Sequence, residues 1–86
     1  MGIENFFHVN FTEYNLMAYE FSKHLRTSTN YDKINAGIKC LGIAYVALVC
    51  TDHEKYHASV LLTIMCDEAE KRILHLELTG ELVGEL

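Results

Sequence analysis

Between Tyr56 and Leu82 the apolar and polar positions alternate. Tyr56, Ala58, Val60, Leu62, Ile64 and Cys66 fall on one side of a period-two pattern, and His57, Ser59, Leu61, Thr63 and Met65 on the other. The first set is wholly apolar and the second is mixed, which predicts a half-buried strand. Leu74, Leu76 and Leu78 then alternate with His75, Glu77 and Thr79, in a phase that runs on through Gly80 to Leu82. This predicts a second strand, with the polar stretch Asp67–Arg72 as the hairpin connection. Upstream, Leu41–Cys50 is apolar at nearly every position and carries Ile43, Tyr45, Val46 and Val49. It predicts a strand covered on both faces, turned by Thr51–Lys55 into the next one. The pattern therefore predicts a three-stranded antiparallel meander from about Ile38 to Leu82.

The N-terminal third is less regular. Phe7, Val9 and Phe11 alternate with His8 and Asn10, which suggests a strand near Phe6–Phe11. Tyr14, Met17, Ala18, Phe21 and Leu25 then form a helical stripe, with Thr12 as its N-cap. A second strand through Leu25 is the alternative. Arg26–Lys33 is rich in turn formers and predicts the clearest loop. The expected fold is a single mainly-β domain over residues 1–86: an antiparallel meander of three or four strands, with one N-terminal helix on one face, so that α+β is the near variant. A helical reading competes in the last third. Ala58, Leu61, Leu62, Met65 and Ala69 keep a 3.6-residue spacing, and Asp67–Arg72 is a strong helix-forming string.

Composition narrows the function. The chain has 86 residues, of which half are apolar and 22% charged, as expected of a folded domain. There is no proline. A net charge of −5 and the lack of a basic stretch argue against a nucleic-acid partner. The longest apolar run, Cys40–Cys50, falls well short of the roughly 20 residues a membrane-spanning helix needs. Met1–Asn5 shows no secretory pattern, and Phe6 stands where a myristoylation motif wants Ser or Thr. Cys40, Cys50 and Cys66 are odd in number and lie on apolar strings, which suggests reduced thiols in a cytoplasmic protein.

The sharpest chemical motif is His53-Glu54-Lys55-Tyr56-His57, an H-E-x-x-H string. On a helix, both imidazoles would share a face and hold Zn²⁺, with Glu54 as general base and Glu77 as a possible third ligand. Over these five residues the chain resembles zinc metallopeptidases. Lys55 and Ser59 depart from that pattern, and on a strand the two histidines would be some 13 Å apart. The same string also reads as a charged turn with two exposed histidines. A broader metal set can be assembled from Cys50, His53, His57 and Cys66, without a paired C-x-x-C. Gly37 and Gly42 fit no phosphate-binding loop, and no cofactor is expected. Asp67, Glu68 and Glu70 cluster, but Lys71 and Arg72 follow at once.

The stretches Tyr56–Leu62 and Leu74–Leu82, with Phe11, Tyr14, Leu16, Tyr19 and Phe21 upstream, resemble the sheet strands of SecB-type export chaperones. The resemblance implies a sheet that binds polypeptide through apolar grooves, and it transfers no individual site residue. The expected function is accordingly non-catalytic protein binding. One helix can cover only one face of the Leu41–Cys50 strand, which leaves Ile43, Tyr45, Val46 and Leu48 as candidate partner-binding residues and a homo-oligomer as the expected state. A zinc hydrolase built on His53, Glu54 and His57, and a small acidic inhibitor of viral type that blocks a host enzyme, are the alternatives.

Overall fold

A computed structural model of the chain describes residues 9–50 and 55–84. The described residues fold as three α-helices, each packed on the other two. Helix α1 spans Phe11–Thr27, α2 spans Tyr31–Val49 and α3 spans Lys55–Thr79. No strand occurs among the described residues, although Asn30 and Val83 make an isolated parallel bridge. The mainly-β meander is therefore corrected to a helical bundle. Leu41–Cys50, Tyr56–Cys66 and Leu74–Thr79 are helical, and the expected Asp67–Arg72 hairpin lies inside α3. Of the strand suggested near Phe6–Phe11, residues 6–8 lie outside the described residues, Val9 and Asn10 are irregular, and Phe11 opens α1.

The helix boundaries have local causes. The Asn10 side chain accepts a hydrogen bond from the Glu13 backbone N–H at 2.8 Å. The Asn30 side chain does the same for Lys33 at 3.0 Å. Each asparagine satisfies a backbone donor that the first turn leaves open, and Glu13 and Asp32 place negative charge at the positive helix ends. The N-cap of α1 is thus Asn10 rather than Thr12. The predicted loop shrinks to the connection Ser28–Asn30. Helix α3 stops in a Schellman turn. Gly80 adopts φ +75°, its N–H reaches the Glu77 carbonyl at 3.2 Å, and the Glu81 N–H reaches the Leu76 carbonyl at 2.9 Å.

The core lies between the three helices. It takes Tyr14, Ala18, Phe21 and Leu25 from α1; Ile34, Leu41, Ala44 and Leu48 from α2; and Ala58, Met65, Ala69 and Leu76 from α3. All four α1 positions belong to the helical stripe read from the sequence. A Cβ on Gly37 would overlap the Phe21 ring, so the absent side chain is what lets α1 and α2 approach there. The segment after α3 ties the α1–α2 connection down. Val83 N–H donates to the Thr29 carbonyl at 2.8 Å, and the Val83 carbonyl accepts from Tyr31 N–H at 2.6 Å. Arg72 adds two bonds, from Nε and Nη2 to the Ser28 carbonyl at 3.2 and 3.1 Å.

Candidate functional site

A helix turns about 100° per residue, so a step of two residues turns about 200°. The alternation that predicted strands therefore distributes its apolar residues onto two opposed faces of α3. Ala58, Met65, Ala69 and Leu76 take the inner face and are buried. Tyr56, Val60, Ile64, Leu74 and Leu78 take the outer face, about 120–160° around the helix from the core direction. Val60, Ile64, Leu74 and Leu78 are 43, 45, 55 and 79% exposed. Asp67 and Lys71 occupy the middle of this outer stripe and form an ion pair at 3.0 Å. The hydrogen bond and charge of Asp67 raise the Lys71 ammonium above its ordinary pKa.

Grooves run beside the stripe. Between α1 and α3 an open groove of about 490 Å³ is lined by Asn15, Leu16, Tyr19, Leu61 and Met65. Another, of about 370 Å³, lies between Phe11 on α1 and Tyr56, Val60 and Ile64 on α3. There the His57 ring meets Phe11 and Tyr56 at centroid distances of 6.2 and 5.8 Å. On α1 the Lys23 ammonium sits 5.4 Å from the Tyr19 ring centroid and partly screens that ring. A polar groove holds Arg26, Glu68 and Arg72, but Arg72 is already committed to the Ser28 carbonyl.

The buried titratable group is Tyr14. Its hydroxyl donates to the Ala58 carbonyl at 3.4 Å beneath α3. Burial, helped by the nearby Cys66 and Tyr45, pushes its pKa up to about 12. Held protonated by desolvation, the phenol packs within the core.

The structure separates the candidate partner-binding residues. Ile43 and Val46 point to solvent from α2, 62 and 59% exposed. Tyr45 is half-buried and Leu48 is wholly buried in the core. Val46 and Leu48 would share a strand face, but on a helix they lie about 200° apart. The four residues therefore do not make one surface. The outer face of α3 has no counterpart in a strand reading, which merges its residues with the buried ones.

The metal candidates do not converge either. His53 and Glu54 lie outside the described residues. Cys50 is exposed at the end of α2, His57 is exposed near the start of α3, and Cys66 is half-buried. His57 and Cys66 are nine residues apart on one helix, about 13 Å along its axis and half a turn around it. Glu77 is about 30 Å along α3 from His57, too far to complete a site with it. Among the described residues no three His, Cys, Asp or Glu side chains gather as a metal site. The two stretches that resemble SecB-type strands fall largely within α3, so the resemblance supplies no sheet groove.

No helix among the described residues is long and apolar enough to cross a membrane. No family model, curated protein or solved structure matches the chain.

Proposed function

We propose that the chain is a non-catalytic protein-binding bundle whose working surface is the outer face of α3. The observation that carries this reading is the exposure of Val60, Ile64, Leu74 and Leu78 on the side of α3 opposite the core. Full burial of such a side chain is worth at most roughly 1.5–3 kcal/mol, so the two apolar ends of the stripe together make an attachment surface. The stripe favours protein over lipid. Asp67 and Lys71 interrupt its apolar run, and Glu68, Glu70 and Glu77 flank it on an acidic chain. An interfacial membrane helix is instead basic along its polar edge.

The test compares two surface variants that keep the core. Ile64→Ser with Leu74→Ser alters the outer face of α3, and Ile43→Ser with Val46→Ser alters the outer face of α2. Both should keep the helical circular dichroism spectrum. The α3 variant should lose the protein association that the unmodified chain shows in light scattering and affinity capture, self-association included. The α2 variant should keep it. An association insensitive to the α3 variant, or no association with any protein, would contradict the reading.

A further inference from the structure

The outer stripe of α3 has a register. Val60, Ile64, Asp67, Lys71, Leu74 and Leu78 follow one another at intervals of four, three, four, three and four. This is the seam spacing of a coiled coil, here about 27 Å long. The apolar residues lie at the ends and the opposite charges in the middle.

The order is self-complementary in one direction only. Turned antiparallel about Ala69, a second α3 sets Val60 against the partner's Leu78, Ile64 against the partner's Leu74, and Asp67 against the partner's Lys71. Every a position then meets a d position, as antiparallel packing requires. In a parallel pair, Asp67 would face the partner's Asp67 and Lys71 the partner's Lys71. A slip of one heptad toward the helix N-terminus would set Val60 against the partner's Lys71 and Ile64 against the partner's Asp67. A slip the other way would set Leu78 against the partner's Asp67 and Leu74 against the partner's Lys71. Each alternative meets like charges or buries a charge against hydrocarbon. Ala69 itself faces the core, so the axis passes beside it without obstruction from its own side chain.

We propose that two copies of the chain pair through their α3 helices, antiparallel about a two-fold axis beside Ala69, with Asp67 of each copy facing Lys71 of the other. The proposal rests on the reading of this face as a protein-binding surface and names its partner as a second copy. The 3.0 Å pair within each chain then becomes part of a four-charge cluster at the axis. Apolar contacts supply the attraction, and the charges select direction and register.

The test uses the full chain and analytical ultracentrifugation. The unmodified chain should sediment as a dimer, at twice 9.8 kDa. Asp67→Lys alone and Lys71→Asp alone should each weaken the dimer at least about tenfold, since like charges then meet twice across the axis. An equimolar mixture of the two variants should restore a dimer, because the lysine pair of one faces the aspartate pair of the other. Both positions are exposed, so each variant should keep the helical spectrum. A chain that stays monomeric throughout the micromolar range would overturn the proposal. So would variants that dimerise as the unmodified chain does, or a mixture that fails to recover. In those cases Ile64→Ser with Leu74→Ser separates the two claims. If that variant removes an association, α3 still binds protein: another protein where the chain is monomeric, or its own copy in a different arrangement where the charge variants dimerise. If it removes none, the reading of the face fails as well.

Discussion

Leu76 and Leu78 sit two residues apart on α3, yet Leu76 is wholly buried and Leu78 is 79% exposed. Leu74, two residues before Leu76, is 55% exposed. The three side chains are chemically identical, and only their direction around the helix differs. Leu76 fills the space beneath α1 and α2, while Leu74 and Leu78 face away from it. Hydrophobicity alone does not assign a residue to the core. On this helix it fills the core from one face and meets solvent on the other.

The sharpest way to break the comparison is to truncate both sides. Leu76→Ala should cost about 2–5 kcal/mol of stability, because it removes transfer energy and leaves a cavity. Leu78→Ala should change monomer stability by less than about 0.5 kcal/mol. Urea denaturation followed by circular dichroism, at concentrations where dimerisation is negligible, measures both. Equal losses would show that the two faces are not distinct.

A second contrast depends on pH. Tyr14 lies under the inner face, and its folded pKa of about 12 exceeds the ordinary phenol value of 10.0. Below pH 10 the phenol is protonated in both states, and its contribution to stability is complete. As pH rises from 10 to 12 the unfolded chain ionises first, so folding loses about 2–3 kcal/mol from this group. Tyr14→Phe should flatten that part of the stability profile. A slope unchanged by Tyr14→Phe would mean that the phenol is not buried as described.

The adjacent cations Lys71 and Arg72 divide in the same way. Arg72 donates twice to the Ser28 carbonyl, so Arg72→Met should cost about 1–2 kcal/mol. The Lys71 ammonium is exposed on the outer stripe, and Lys71→Met should leave monomer stability nearly unchanged. Thermal melts of the two variants distinguish these effects.

Part of this arrangement was legible in the sequence. Tyr14, Met17, Ala18, Phe21 and Leu25 read as one helical stripe, and all of them except the exposed Met17 form the buried side of α1. The spacing of Ala58, Leu61, Leu62, Met65 and Ala69 describes the inner side of α3, although the period-two alternation favours a strand. That preference came from a periodicity that a two-faced helix imitates. A two-residue step reverses direction on a strand and nearly reverses it on a helix, so inner and outer leucines alternate in both. Residue type carried the missing signal. Leu74–Leu78 contains Leu, His and Glu but no β-branched residue, and Ala36, Ala44 and Ala47 lie along α2. The apolar run Leu41–Cys50 hid the same division. Leu41, Ala44 and Leu48 enter the core from α2, while Ile43 and Val46 remain outside. The outer face stays hidden in that reading because a strand places Val60 and Ile64 beside Ala58 and Leu62, as one surface.

The central claim is that the second apolar face of α3 pairs antiparallel about Ala69. Double electron–electron resonance tests it directly, with spin labels introduced singly through Glu70→Cys or Glu77→Cys after Cys40, Cys50 and Cys66 are replaced. Glu70 is next to the axis and Glu77 is eight residues from its centre. With about 1.5 Å of rise per residue, the axial separation across the dimer should be about 3 Å at Glu70 and about 24 Å at Glu77. The interlabel distance should therefore be clearly longer for Glu77. Similar distances at both positions would indicate parallel pairing, and no dipolar signal at either would indicate that the chains do not pair; either result would contradict the account.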